Sequence, residues 1–398
     1  MLINKLNKPL ILTLLSLLLI FGVSAIDIYV ASLPQMVVEF DTLPTTINLT
    51  ISAYTLGIAI SALFIGEFSN RFGRRRVLLS GACCFTISSW LIAFSPSIYL
   101  IICLRLFQAI GCASFIIIPR LIIRDTMDEK EQINATGILL LGMIIAPAIS
   151  PVFGAYISKY FGWRYCFGIL GIISLMMTYL IYKILPETHQ SPLKRLATAK
   201  YYLTIYKQLI SNSSFLALTT IYATTVGAYF GFIGISSYLY IDSWHLMPTQ
   251  YAYVYVFMAI AYFVGNFIMR RLNRNGLSPA RIIGVGVYSA FAGMVFIMIA
   301  SLYLENYLLI LMVTIGVIFL RTSNAIIIAP TQIRVMNNFA PHSAQALGLN
   351  MCLGFISNSF ATYIVTVLKF SPLINLMIIS ILPIFISAVV YAKFKNKI

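Results

Sequence analysis

Three ionisable side chains, Asp27, Arg105 and Arg321, lie inside long apolar stretches of the sequence. A charged group at the centre of a bilayer costs about 3 kcal/mol or more, so such a residue usually faces a cavity and marks the path of an ion or substrate. Asp27 is the one carboxylate placed well inside an apolar stretch. Low-dielectric surroundings favour the neutral acid, which makes Asp27 a candidate for taking up and releasing a proton. A structural Asp that hydrogen-bonds neighbouring helices is the alternative.

The two arginines need partners of a different kind. We expect Arg105 either to pair with a carboxylate or polar cluster across a cavity or to contact substrate, while a purely structural role between helices stays open. Arg321 has no carboxylate of its own half inside an apolar stretch. If it faces a cavity, it favours an anionic or carboxylate-bearing substrate.

Signs of catalysis or metal binding are missing from the sequence. His189, His245 and His342 are isolated between apolar stretches, and no HExxH, P-loop or GxSxG arrangement occurs. The six cysteines fall inside apolar segments without the paired spacing of a zinc site or a disulfide framework. We therefore predict no enzyme activity, no cofactor and no metal. A receptor or sensor that does not transport is a further alternative.

The composition places these residues in a membrane. The chain has 398 residues, of which 60% are hydrophobic and 10% charged, and a mean hydropathy of +0.92. The net charge of +16 comes from short basic clusters between apolar runs, so we predict lipid contact and no nucleic-acid binding. Runs of about 20 apolar residues suffice to cross a bilayer. We predict twelve transmembrane helices over residues 10–33, 45–69, 77–95, 97–123, 132–157, 163–184, 213–240, 249–269, 279–301, 305–333, 343–368 and 371–392.

The basic residues also predict an orientation. The loops on one side hold only Lys159, Arg164 and Lys369, whereas the termini and the other loops hold nearly all remaining Lys and Arg. Because basic residues accumulate in cytoplasmic loops, both termini should be cytoplasmic. Lys5 and Lys8 followed by an apolar run also fit a cleavable signal peptide, but the run continues past the possible cleavage point, and we favour a first span.

The chain reads as two similar halves. The longest polar interruption, 186–212, follows the sixth span and predicts a cytoplasmic linker between six-helix bundles at 1–185 and 213–398. A basic turn at 66–76 is echoed at 265–274, about 200 residues later. Duplicated six-helix units are typical of secondary transporters, which bind substrate near the midplane between the repeats.

Four motifs carry a family resemblance. They are GEFSNRFGRRR at 66–76, IDIYVASLP at 26–34, LRLFQAIGCASFIIIPRLIIRD at 104–125, and a Gly/Pro-rich fifth span followed by GWRYCF at 162–167. Together they resemble the major facilitator superfamily and, within it, the drug:proton antiporters of the Bcr/CflA type. Two positions depart from the family pattern: Asn70 stands where the family has Asp, which puts its gating ion pair in doubt, and Ala155 replaces a Gly. Glu67 is a possible substitute for the missing carboxylate.

The resemblance implies three groups of site residues. The gating loop would contain Gly66, Asn70, Arg71, Gly73, Arg74, Arg75, Arg124 and Asp125. The antiporter-motif helix would contain Gly142, Pro147, Pro151 and Gly154, whose small residues and kinks suit a helix interface that rocks. The substrate cavity would be lined by Asp27, Tyr29, Arg105, Gln108, Tyr229, Arg321, Asn324, Asn350 and Asn358.

The resemblance also implies a function. We expect a multi-pass, monomeric transporter of the bacterial inner membrane that exports a small amphipathic drug or metabolite in exchange for protons, by alternating access, with Asp27 as the proton-coupling residue. Transport of an anionic polycarboxylate, such as a citrate-type siderophore, is the alternative that the two embedded arginines favour.

Overall fold

A computed structural model describes residues 8–127, 129–188, 199–304, 306–339 and 342–395. In these ranges the chain forms helices joined by short turns, and no strand is present. This is expected, because a helix satisfies its own backbone hydrogen bonds where no water is available. The helices of the first half are α1 Lys8–Asp27, α2 Leu33–Glu39, α3 Pro44–Phe72, α4 Arg74–Ala93, α5 Ile98–Thr126, α6 Glu129–Phe161 and α7 Trp163–Ile184.

The second half continues the same pattern. Its helices are α8 Ala199–Ile210, α9 Ser213–Ser237, α10 Pro248–Arg274, α11 Pro279–Tyr303, α12 Asn306–Asn338, α13 Ser343–Val367 and α14 Pro372–Phe394. Ten helical stretches within the described ranges are long and apolar enough to cross a membrane. The predicted spans 132–157 and 343–368 coincide with α6 and α13, which are not among those ten. The count of twelve spans and the cytoplasmic termini stay predictions.

The first apolar stretch is longer than predicted and is broken. It runs over Lys8–Glu39 as α1, a 3-10 turn at Val30–Ser32 and α2, rather than over 10–33. Pro34 explains the break, because its ring lacks an N–H and would clash with the carbonyl four residues earlier in a continuous helix. Asp27 is therefore the last residue of α1, at an interruption inside a membrane-length stretch.

The chain folds into two compact units. The first contains Met1–Ser32 and Leu56–Leu196, and the second contains Leu33–Thr55 and Ala197–Ile398. The segment predicted as a linker includes α8, and residues 189–198 of it lie outside the described ranges. The predicted domain limits at 185 and 213 stay a prediction.

The first unit is packed around aromatic rings and small residues. Phe21, Phe85 and Phe115 form a cluster whose ring centroids lie 5.1 to 5.9 Å apart. Gly73 joins α3 to α4 with a φ of 98°, a backbone conformation that side chains other than glycine rarely adopt. The residue after it, Arg74, thereby begins a new helix, α4.

The second unit has its own core. Phe215 and Leu218 of α9, Ile283 of α11 and Val335 of α12 are buried in one apolar cluster, onto which α8 packs Ile205 and Leu209. Asn48, at the start of α3, donates to the backbone carbonyls of Gly234 and Thr362 at 2.7 and 2.9 Å. Two bonds from one buried amide hold residues 44–55 against α9 and α13.

Candidate functional site

Asp27 lies at the end of α1 and is 5% exposed. Arg105 of α5, which is fully buried, contacts the chain on both sides of it. Its Nη1 donates to the carbonyl oxygen of Ala25 at 3.4 Å, and its Nη2 donates to the hydroxyl of Tyr29 at 3.3 Å. The embedded cation and the embedded acid thus belong to one region of the first unit.

Arg105 is the centre of a polar cluster with aromatic walls. Its Nη1 also donates to Oε1 of Gln108 at 2.6 Å, and Nε2 of Gln108 donates to the hydroxyl of Ser89 at 2.7 Å. The guanidinium lies over the rings of Tyr29 and Phe167, at 4.8 and 5.5 Å from their centroids. Hydrogen bonds and ring faces together offset the cost of burying this cation.

The cluster includes two residues that the sequence analysis did not assign. Phe167 ends the GWRYCF motif, which was noted only as a family signature, and Ser89 is one of many serines in apolar segments. Their roles depend on helix packing, which a single sequence does not display.

Arg105→Lys tests whether the fork of the guanidinium is needed. The ammonium of Lys lacks the planar fork of N–H donors with which the guanidinium reaches Ala25, Tyr29 and Gln108. Losing a charge-assisted bond there costs about 2 kcal/mol, and we expect transport to fall by a factor of about 30 in vesicle assays. Arg164→Lys is the matched control, since Arg164 is half-buried over Trp163 and its loss should change transport by less than about threefold. Equal losses in both variants would contradict the assignment.

The antiporter-motif helix supports the break after Asp27. A Cβ at Gly154 of α6 would collide with the backbone carbonyl of Ile28, so the absence of a side chain permits this approach. One turn later, the hydroxyl of Ser32 donates to that of Ser158 at 2.8 Å. Pro147 and Pro151 are buried within α6 and do not end the helix. Gly142 also lies in α6, but its surroundings fall outside the description.

The basic turn after α3 is built around Arg74, which is fully buried. Its Nε forms an ion pair with Oδ2 of Asp125 at 2.9 Å, and its Nη1 contacts the hydroxyl of Ser69 and, at 3.5 Å, the carbonyl of Gly66. The backbone N–H of Arg74 donates to Oε1 of Glu187 at 2.8 Å. Carboxylates from the end of α5 and from the segment after α7 therefore meet at this turn.

The effect of Asn70 on the gating ion pair stays a prediction, but the structure places two carboxylates at this turn. Asp125, which was expected there, contacts Arg74, and so does Glu187, which was not expected. Glu187 lies in extended chain at the start of the predicted linker, so nothing in its local sequence indicated a contact with Arg74.

The other gating-loop residues surround this pair. Arg75 donates to the carbonyl of Tyr182 at 2.6 Å and lies over its ring, and Arg71 lies 5.1 Å from the ring of Phe72. Asn70 is half-buried. Arg124 lies in α5, and its side chain is outside the described part of the chain.

Asp125→Asn should destabilise the protein by about 3 kcal/mol, because it leaves the buried Arg74 without its charged partner. The measurement is thermal unfolding of the purified protein in detergent. The double variant Arg74→Gln with Asp125→Asn should recover part of the loss, as expected for coupled residues. Arg76→Gln removes an exposed arginine of the same turn and should have little effect. Additive single effects would contradict a coupled pair.

In the second unit, Arg321 of α12 lies between two aromatic rings. Its guanidinium is 4.2 Å from the ring centroid of Tyr229 on α9 and 4.4 Å from that of Tyr262 on α10. Its Nε is buried and has no hydrogen-bond partner among the described residues. Tyr262 was not predicted, because it is one of several tyrosines in α10 that the sequence cannot distinguish.

The predicted asparagines line the interior of the second unit. Asn324 donates to the carbonyls of Leu320 and Thr225, and Asn350 donates to the hydroxyl of Thr219 at 3.0 Å. Asn358 is buried on α13. Within the described part of the chain, the side-chain oxygens of all three accept no hydrogen bond. The structure therefore joins Tyr29, Arg105 and Gln108 in one unit and Tyr229 and Arg321 in the other, while a single cavity formed by all predicted residues stays a prediction.

Solved structures share the fold of this chain. The fold matches that of a bacterial homolog of the human lysosomal transporter Spinster with a TM-score of 0.79, at 15% sequence identity and over 98% of both chains. The match shows a shared all-helical fold. The sequence model of the Major Facilitator Superfamily matches residues 12–392, and the chain belongs to that superfamily.

Curated relatives confirm the resemblance to Bcr/CflA-type exporters. The chain is 26% identical to a chloramphenicol resistance protein of Pseudomonas aeruginosa over 86% of this chain and 80% of that protein. It is 25% identical to a bicyclomycin resistance protein homolog of Haemophilus influenzae over 65% of each, so the match spans just under two thirds of that relative. The predicted all-helical membrane fold and the family are confirmed, and the chain is a multi-pass membrane transporter rather than an enzyme.

Proposed function

We propose that this transporter is a proton-coupled antiporter of the bacterial inner membrane that exports a small amphipathic drug or metabolite by alternating access. The observation that carries the proposal is the position of Asp27, a buried acid at a helix break inside a membrane-length stretch. The relatives named for chloramphenicol and bicyclomycin resistance support export of such compounds.

The geometry around Asp27 supports coupling between charge and helix position. Arg105 donates hydrogen bonds to residues two positions before and two positions after Asp27. A change of charge at Asp27 therefore alters the electrostatic field at the guanidinium and the strength of the contact between α5 and α1. α6 packs directly against the backbone of Ile28 through Gly154. Protonation at one residue is thus linked mechanically to two helices.

Antiport then follows from competition between two states. If the protein binds substrate more tightly when Asp27 is ionised, substrate binding lowers the affinity for the proton. By linkage, proton binding lowers the affinity for substrate by the same factor. One proton supplies about 2.3 kcal/mol per 100 mV of membrane potential and about 1.4 kcal/mol per pH unit. With both at those values, a one-to-one exchanger of a neutral compound could concentrate it about 500-fold.

The experiment is uptake into everted vesicles that contain the full chain and carry an imposed pH gradient, acidic inside. The panel is chloramphenicol as a neutral compound, ethidium as a cationic one and iron-free citrate as a polycarboxylate. We expect uptake of the neutral or cationic amphipathic compound that stops when nigericin collapses the gradient. Uptake of citrate alone, or uptake indifferent to the gradient, would refute the proposal.

Arg321 distinguishes this function from polycarboxylate transport. The faces of Tyr229 and Tyr262 are negative and partly offset the guanidinium charge. We therefore expect Arg321→Ala to reduce uptake of all transported compounds alike, about tenfold, by loosening α9, α10 and α12. Tyr262→Phe keeps the ring face and should change uptake little. Loss confined to citrate in Arg321→Ala would favour the polycarboxylate alternative.

A further inference from the structure

A basic cavity of about 320 Å³ lies at the C-terminal end of α10, away from the predicted substrate residues. Phe267, Arg270, Arg271, Arg274 and Asn275 line it. Three arginines within five positions on the last turns of one helix carry far more charge than the helix end can balance, since the terminal carbonyls amount to about half a negative charge.

The protein groups that the structure describes do not neutralise these arginines. Within the described part of the chain, the side chains of Arg270, Arg271 and Arg274 form no hydrogen bond or ion pair. Residues 243–398 contain one acidic residue, Glu305. Glu305 lies outside the described residues. No described acidic side chain pairs with these arginines, which leaves the cavity able to accept an anion from outside the chain.

The internal repeat allows the partners of these arginines to be compared with those of the matching arginines in the first half. At an offset of 199 residues, Gly66, Phe68, Arg71 and Arg75 correspond to Gly265, Phe267, Arg270 and Arg274. In the first half, Arg74 binds Asp125 and Arg75 binds the carbonyl of Tyr182. The second half keeps the basic turn, but its arginines contact no such acceptor among the residues that the structure describes.

We propose that this cavity binds the phosphate of an anionic phospholipid from the cytoplasmic leaflet. Arginine suits phosphate because its planar fork can donate two parallel hydrogen bonds. Phe267, which is 59% exposed beside the arginines, offers the apolar contact that an acyl chain makes and that a free anion does not. Basic cavities of this kind at the cytoplasmic ends of helices recognise lipid headgroups. The site fixes the end of α10, whose Tyr262 contacts Arg321.

The test is native mass spectrometry of the purified full chain in neutral detergent, titrated with phosphatidylglycerol, phosphatidylcholine or inorganic phosphate. We expect phosphatidylglycerol to bind in preference to phosphatidylcholine. The triple variant Arg270→Gln, Arg271→Gln, Arg274→Gln should weaken phosphatidylglycerol binding about 100-fold, since each basic residue near an anionic headgroup contributes about one factor of five. The matched control removes the same charge elsewhere, as Lys183→Gln, Lys207→Gln, Lys393→Gln, and should bind as the wild type does.

Further arms separate the lipid from a free anion. Phe267→Ala should weaken the binding of phosphatidylglycerol and leave the binding of inorganic phosphate unchanged. Phosphate that displaces phosphatidylglycerol at equal concentration, together with no effect of Phe267→Ala, would overturn the lipid assignment. Equal losses in the triple variant and its control would overturn the site and leave a basic loop that serves only to orient the chain. None of these readouts depends on proton-coupled transport.

Discussion

Asp27→Asn is expected to reduce gradient-driven uptake to that of vesicles without the protein. Asn has nearly the shape of Asp and keeps hydrogen-bonding capacity, but it cannot exchange a proton. Exchange of labelled for unlabelled compound needs no proton transfer and should partly persist. The measurement compares pH-driven uptake with exchange in everted vesicles, using the compound that the wild type transports best.

Asp41→Asn is the control for this variant. Asp41 is exposed in the turn between α2 and α3 and has a φ of 44°, a conformation that Asn tolerates. It should transport as the wild type does. If Asp27→Asn still accumulates substrate against a gradient, Asp27 is a structural residue and another group carries the proton.

Gly154→Ala is expected to have the second largest effect. The new methyl group would collide with the carbonyl of Ile28, and a backbone atom cannot move aside as a flexible side chain can. Overpacking there should cost about 3 kcal/mol and displace the chain next to Asp27. We expect loss of driven uptake together with a lower unfolding temperature.

Gly168→Ala is the matched control. Gly168 lies inside α7, and a Cβ there would have no neighbouring atom within 4 Å. Because Ala favours helix over Gly by about 1 kcal/mol, this variant should be as stable as the wild type or more so. If Gly154→Ala matches Gly168→Ala in both stability and uptake, the contact between α6 and Ile28 is unimportant.

The sequence identifies the charged residues of the site better than their partners. An acid and two arginines in apolar stretches are visible without a structure, because their burial is costly. The expectation that Arg105 meets a polar cluster is consistent with its bonds to Tyr29 and Gln108. The rings of Phe167 and Tyr262 were not predictable, since the contact depends on how helices rotate against each other rather than on local spacing.

The gating turn shows the same limit. Its glycines and arginines can be recognised from the sequence as a motif, and Asn70 can be recognised as a departure from that motif. The contact with Glu187 joins residues more than 100 positions apart, through a segment with no regular structure. A loop contact of this kind leaves no periodic pattern in the sequence.

The helix limits follow the apolar runs of the sequence closely, except at the break between α1 and α2 and at the short helix α8. The helical path breaks between Asp27 and Leu33, just before Pro34, yet α2 continues the apolar stretch to Glu39, beyond the 20 residues that a span requires. α8 lies within the stretch read as a linker, because its 12 residues are too few for a span, and its Ile205 and Leu209 pack on the second unit.

Proton release on substrate binding tests the central claim most directly. Purified protein is held in weakly buffered detergent solution near neutral pH, and a pH indicator follows the addition of the transported compound. The account predicts release of protons by the wild type and none by Asp27→Asn that still binds the compound. Equal release by both proteins, or binding to the wild type without any release, would contradict it.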